Sequence, residues 1–175
     1  MPILSGKKVA MIIASNGYRD EELEKPREAL LSSGAKVVLA SSSLKEAKGK
    51  LGGSAKPDIL ITDLKVEDFD CIVFVGGAGS SEYWDNETAL EIARKAYNEG
   101  KLVAAICIAP VTLANAGILK DKRATAYSSV VGKLKNKGAV CTKEGVVTDG
   151  NIITADGPQS AEKFAAALVE KLSAK

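Results

Sequence analysis

Leu102-Val103-Ala104-Ala105-Ile106-Cys107-Ile108-Ala109-Pro110 is an apolar run that ends in a cysteine and a proline. Its first five residues have no polar member and read as a strand buried on both faces, the pattern of a parallel sheet. Small residues flank the cysteine and permit a sharp turn. Pro110 suits the first turn of a helix, where its missing N–H costs nothing. The spacing predicts a strand, a tight elbow at Cys107 and a helix ending near Gly117.

The same alternation extends in both directions. Lys8–Ala14 reads as a buried strand and Ser15-Asn16-Gly17 as a turn. A helix is predicted over Asp20–Ser33, with Leu23, Leu30 and Leu31 at helical spacing, Gly34 as its stop, and Pro26 kinking or restarting it. Lys36–Ala40 reads as a strand, Ser41–Pro57 as a loop or small hairpin, and Ile59–Ile61 as a short added strand. Cys71–Val75 is a strand ending in Gly76-Gly77, followed by a helix over Asn86–Asn98. Beyond the elbow come a short strand at Thr125–Tyr127, a helix at Val130–Lys137 and a strand at Ala139–Thr142. A hairpin within Val146–Thr154 turns at Asp149-Gly150-Asn151, and Ser160–Leu172 is an amphipathic helix. Strands alternating with helices argue for a mostly parallel sheet covered on both faces. The 175 residues fit one domain, residues 1–175.

Composition removes several function classes. The chain has 24 basic and 22 acidic residues and no dense basic run, so no nucleic-acid partner is expected. The basic residues of the 45–56 segment and of Lys120–Arg123 read as solvated loop and helix-end charges. Cys71, Cys107 and Cys141 are odd in number and form no CxxC pair. That argues against a secreted disulfide framework and against a zinc site. There is no histidine, which excludes a Ser-His-Asp triad, a Cys-His dyad and an HExxH site. Met1–Lys8 lacks a signal-peptide pattern, and no apolar run reaches the roughly 18–20 residues of a membrane span. A cytoplasmic protein without metal, cofactor or membrane partner is the expectation.

In open α/β sheets, ligands bind beyond the carboxyl ends of the strands. Three such ends carry notable residues: Asp20-Glu21-Glu22, Gly76-Gly77, and Cys107. A helix N-terminus favours thiolate, so the Cys107 pKa is expected to fall below about 8.5. The N–H groups of Ile108 and Gly77 are candidates for an oxyanion hole. Glu22 is a candidate to reach the thiol, its pKa raised by burial so that the protonated carboxyl donates a hydrogen bond or acts as acid and base. Plainer readings stand beside these. Cys107 is a packing cysteine, Gly76-Gly77 a strand-ending turn, and Glu22 a carboxylate favoured by the helix dipole, the role assigned to Asp20, Glu21 and Glu24. Gly76-Gly77-Ala78-Gly79 is no P-loop, because no GK[ST] follows. Cys71 and Cys141 read as packing residues. Tyr83 and Trp84 cap the site, join a subunit interface or pack in the core.

Taken together, Asp20-Glu21-Glu22 with Pro26, Phe69–Gly77, Ala104-Ala105-Ile106-Cys107 with Pro110, Thr125-Ala126-Tyr127, the Val146–Asn151 hairpin and Gly157-Pro158 make the chain resemble the ThiJ/PfpI family. That superfamily includes the Parkinson-disease-associated deglycase and the archaeal intracellular proteases. The resemblance covers nearly the whole chain. It implies a flavodoxin-like three-layer sandwich, class I glutamine amidotransferase-like, in a dimer or larger assembly. It also implies Cys107 as nucleophile, Glu22 as its hydrogen-bonding carboxyl, Gly77 and Ile108 as oxyanion donors, and Gly76 and Tyr127 in the pocket. The departures concern histidine. Peptidase-like members carry one directly after the cysteine, where this chain has Ile108. The deglycase branch carries one where this chain has Ala126 or Tyr127. Glu82, which resembles the acid that orients the peptidase histidine, has no imidazole to orient.

Three functions follow as expectations. The first is an enzyme acting on small reactive carbonyls, glyoxalase- or deglycase-like, with a cysteine nucleophile and Glu22 as acid and base. The second is a non-catalytic cysteine redox sensor or stress chaperone. The third is a peptidase-like hydrolase, which lacks the base such chemistry needs.

Overall fold

The computed structural model describes residues 2–174; Met1, the first residue of the N-terminal reading above, lies outside them. In chain order the elements are β1 (Lys8–Ile12), β2 (Asn16–Tyr18), α1 (Asp20–Ser32), β3 (Lys36–Ser41), β4 (Ala47–Gly49), β5 (Ser54–Ala55) and β6 (Ile59–Leu60). They continue with β7 (Cys71–Phe74), α2 (Glu87–Asn98), β8 (Leu102–Ile106), α3 (Pro110–Asn115), β9 (Arg123–Ala124) and α4 (Val131–Asn136). The last are β10 (Val140–Cys141), β11 (Val146–Asp149), β12 (Ile152–Ala155) and α5 (Ala161–Ser173).

Side-chain alternation along the central strands builds the layers. Val9, Met11, Cys71, Val73, Leu102, Ala104 and Ile106 point to one face, where Leu23 and Leu30 of α1 and Phe164, Leu168 and Leu172 of α5 cover them. Ala10, Ile12, Ile72, Phe74, Val103 and Ala105 point to the other, against α2, α3 and Leu134 of α4. The sheet order is β11-β12-β8-β7-β1-β3-β6, parallel throughout except for the β11–β12 hairpin. This is the expected flavodoxin-like sandwich. Cys71 is core, as its place inside a strand predicts.

Register brings distant segments together. Phe74 lies opposite Ala105 and Ile12 opposite Phe74. Two residues further along the parallel strands, Gly76 arrives beside Cys107, and the chain leaving β1 turns into α1 above them.

The structure shifts several expectations. Ser15-Asn16-Gly17 is not only a turn: Asn16–Tyr18 forms β2, which pairs with β4, and β4 with β5 makes the hairpin of the polar segment. α1 runs unbroken through Pro26, losing only the one N–H bond that a proline cannot make to Glu22 C=O. Leu31 is half exposed rather than core. The short strand falls at Arg123–Ala124 instead of Thr125–Tyr127, because Thr125 N–H turns to donate to Thr154 Oγ1 at 3.0 Å. No helix among the described residues is long and apolar enough to cross a membrane.

Phe164 is fully buried where α5 meets the sheet. Phe164→Ala is expected to cost roughly 3–5 kcal/mol of unfolding free energy, read from urea denaturation; a loss below 1 kcal/mol would mean that α5 does not close the core.

Candidate functional site

The elbow is a strained point held by main-chain hydrogen bonds. Cys107 has φ 68°, a left-handed conformation that costs an L-residue roughly 1–2 kcal/mol. Cys107 N–H donates to Ala155 C=O at 2.9 Å, and Cys107 C=O accepts from Tyr127 N–H at 2.8 Å. A peptide group is planar with its C=O and N–H on opposite sides. Fixing Cys107 C=O therefore aims Ile108 N–H the other way, toward Sγ, which it shares with Gly77 N–H as hydrogen-bonding partner. Trp84 Nε1 donates to Ile108 C=O at 3.1 Å and anchors the next peptide. Pro110 opens α3, as expected, though that helix is short.

Glu22, in the first turn of α1, is 0% exposed. Neither carboxyl oxygen has a hydrogen bond of regular geometry among the described residues; its interaction is with the Cys107 thiol. Gly76 makes that approach possible. A Cβ there would stand 2.2 Å from Glu22 Oε1, 2.5 Å from Ile106 O and 2.6 Å from Cys107 Cβ. Gly77 has φ 110°, and a Cβ would meet Arg19 N at 2.4 Å. The glycine pair is thus a wedge between two backbones as well as a strand-ending turn.

Burial, the largest cause, raises the Glu22 pKa to about 8, opposed by the thiol hydrogen bond and by Arg19. The carboxyl is therefore protonated at neutral pH, as expected. The expected fall of the Cys107 pKa is corrected. Cys107 is 9% exposed, and burial followed by the Glu22 charge pushes its thiol up to about 12, against the two backbone N–H groups. The two titrations are coupled. Protonating Glu22 removes its repulsion and supplies an O–H donor, so a thiolate at Cys107 has three donors when Glu22 is neutral: Gly77 N–H, Ile108 N–H and the carboxyl.

Cys107 opens into a cleft of about 390 Å³ that Gly77, Ile108 and Tyr127 also line. Tyr127 is 44% exposed there. Arg19, Lys50, Ser129 and Gln159 line it too; sequence reasoning missed them. Arg19 adjoins the acidic trio, which was a usable signal. Lys50 was read as a solvated loop charge, and only the hairpin fold brings it here.

One role needs correction, and two others become specific. Asp20 is no mere dipole partner: 6% exposed, it accepts Leu51 N–H at 3.1 Å and Gly53 N–H at 2.8 Å and pins the β4–β5 turn. Glu82 has a task without histidine, accepting Ser15 N–H at 2.9 Å and Ser15 Oγ–H at 3.1 Å. Tyr83 is a buried strut whose hydroxyl donates to Ile13 C=O at 2.7 Å and accepts Ser42 N–H at 3.0 Å. Cys141 is half-buried beside an adjoining cleft.

Glu22 gives the site a pH signature. The folded chain keeps a proton that the unfolded chain releases above about 4.5. Stability is therefore full below that pH and falls as pH rises to about 8. Glu22→Gln removes the titration, so its stability relative to the natural protein is expected to improve by roughly 4 kcal/mol between about pH 4.5 and pH 8. Urea midpoints across that range check it; a constant difference would mean an unperturbed carboxyl. Gly76→Ala is expected to lose most Cys107 reactivity toward iodoacetamide, because the added methyl displaces Glu22 or Cys107.

The DJ-1/PfpI family model matches residues 7–171. An uncharacterized protein of Methanocaldococcus jannaschii is 43% identical over 164 residues, covering 92% of this chain and 80% of that protein. Deglycase PfpI of Pyrococcus furiosus is 35% identical over 148 residues, covering 85% of this chain and 89% of that protein. The crystal structure of a ThiJ/PfpI domain protein from Brachyspira murdochii superposes with a TM-score of 0.94 at 33% identity, covering 97% and 99% of the two chains.

Proposed function

We propose that this chain, which belongs to the DJ-1/PfpI family, is a cytoplasmic, cysteine-dependent enzyme that converts small 2-oxoaldehydes such as methylglyoxal to 2-hydroxy acids and acts on their thiol and amine adducts. The observation that carries it is the buried Glu22 carboxyl, without a regular hydrogen-bond partner and held against Cys107 beneath two backbone N–H groups. The name deglycase on the Pyrococcus furiosus relative agrees with a carbonyl substrate.

The chemistry needs no external oxidant. The thiolate form of Cys107, a minority at neutral pH because burial raises the thiol's pKa, attacks the aldehyde carbon, and a C–S bond forms as the carbonyl π-electrons move to oxygen. Gly77 and Ile108 N–H stabilise that oxygen, which then takes the Glu22 proton. Ionised Glu22 removes the hydrogen of the attacked carbon as a proton and returns it to the neighbouring carbon, while the hydroxyl proton passes to the second oxygen. The first carbon is thereby oxidised to a thioester and the second reduced to an alcohol. Water cleaves the thioester, giving lactate from methylglyoxal; of the two protons set free, one restores protonated Glu22 and the other leaves to solvent, and the thiolate is regenerated. Peptide hydrolysis is less suited, because no imidazole stands ready to protonate a leaving amine.

The same three donors fit a cysteine sulfinate, which supports redox sensing as the second reading. Self-association as a homodimer or larger is part of the proposal through the family, and light scattering reads the subunit number.

The test is loss of methylglyoxal. The natural protein is expected to consume it, Cys107→Ala to abolish turnover, and Glu22→Gln to lower kcat by at least about 100-fold. Full turnover in Glu22→Gln removes Glu22 from the mechanism. No turnover by the natural protein, with Cys107 gaining two oxygens under mild peroxide, transfers the assignment to redox sensing.

A further inference from the structure

We propose that the cleft over Cys107 contains an anion subsite, built from Lys50 with Arg19, that selects 2-oxoaldehydes or their adducts bearing a carboxylate. The proposal rests on the function above only for the reaction; the subsite itself is a property of the cleft.

The two charged side chains lining the cleft are both cations. Glu22, below them, is neutral at physiological pH. Arg19 directs Nε and Nη2 to Glu21 at 2.9 and 3.0 Å, so Glu21 spends its charge on that side and Nη1 has no partner among the described residues. The other acid nearby, Asp20, faces the N–H groups of Leu51 and Gly53. Neither carboxylate is a cleft-lining group. Lys50 forms no ion pair among the described residues, unlike Lys48, which pairs with Glu46. Because Arg19 is paired with Glu21, the net positive charge of the cleft is that of Lys50, with Arg19 offering its Nη1 as a donor, in a recess whose low-dielectric walls strengthen attraction for an anion.

The position of Lys50 is built rather than incidental. It sits in the turn between β4 and β5, and its own N–H donates to Tyr18 C=O at 2.9 Å. The buried Asp20 carboxylate holds the next residue and the end of the turn. Gly49 and Gly53 lie so close to Asp20 that a Cβ at either would stand within 2.7 Å of a carboxyl oxygen. Lys50 itself is exposed, so these bonds fix the backbone that carries it at the rim of the cleft. The cleft is also larger than methylglyoxal requires: about 390 Å³ is the liquid volume of roughly a dozen waters, whereas methylglyoxal has a handful of heavy atoms.

The experiment compares alkylation of Cys107 by iodoacetate, an anion, with iodoacetamide, its neutral analogue, at neutral pH and low salt, followed by peptide mass. The iodoacetate-to-iodoacetamide rate ratio is expected to exceed that of a free thiol by about ten-fold, to drop several-fold in Lys50→Ala, to fall below the free-thiol ratio in Lys50→Glu, and to collapse in high salt. A natural-protein ratio no higher than that of a free thiol, or one unmoved by Lys50→Glu, overturns the subsite. With substrates, a 2-oxoaldehyde carrying a terminal carboxylate is set against its methyl ester. The acid-to-ester ratio of kcat/KM is expected to fall about ten-fold in Lys50→Ala; an equal loss for both would mean a structural role and overturn the selection. If neither compound is turned over while the alkylation ratios behave as expected, the subsite stands and the proposed reaction falls.

Discussion

Cys107 stands at φ 68° at the end of a fully buried strand, and its position depends on two neighbours that share no local sequence with it. Ala155 holds its N–H and Tyr127 holds its C=O. Because the peptide is planar, the second bond also settles the direction of Ile108 N–H. The strain, the direction of Ile108 N–H and its contact with the thiol are therefore one arrangement. The surrounding sheet supplies the rigidity: β8 lies between β7 and β12 in continuous register, with helices on both faces.

The second dependence is electrostatic. A carboxyl buried without regular hydrogen bonds is costly when charged, and the Glu22 pKa near 8 expresses that cost. The same burial makes Glu22 a proton donor at neutral pH, in a chain that has no imidazole. Stability at alkaline pH is sacrificed for a neutral acid beside a thiol. Burial raises the Cys107 pKa in either state of Glu22, and the Glu22 charge adds to it only when that carboxyl is ionised, so the pair titrates as a unit.

Much of this was legible along the chain. Cys107, Gly76-Gly77 and Glu22 each follow a strong buried strand or open a helix, and parallel strands put their carboxyl ends on one edge. Cys71 as core, the β11–β12 hairpin and the α5 helix were readable from alternation and turn residues. Lys50, Asp20 and Trp84 were not. Lys50 lies in a polar stretch with no periodicity, and nothing local connects Asp20 to an amide 33 residues away or Trp84 to a carbonyl 24 residues away. Tyr127 was placed near the site only through the family resemblance, and its contribution includes a main-chain N–H that no side-chain pattern encodes.

By itself the amino-acid sequence determined the layered α/β architecture, the elbow and the absence of imidazole chemistry, because these follow from hydrophobic period, turn residues and composition, which are local quantities; Glu22 was singled out beside Cys107 chiefly through the family resemblance. Tertiary structure alone decided the depth of burial that holds the Glu22 proton, the direction of the Cys107 shift and the charge of the cleft. Those depend on desolvation and on distances between segments far apart in the chain, and both are set only when the sheet register closes.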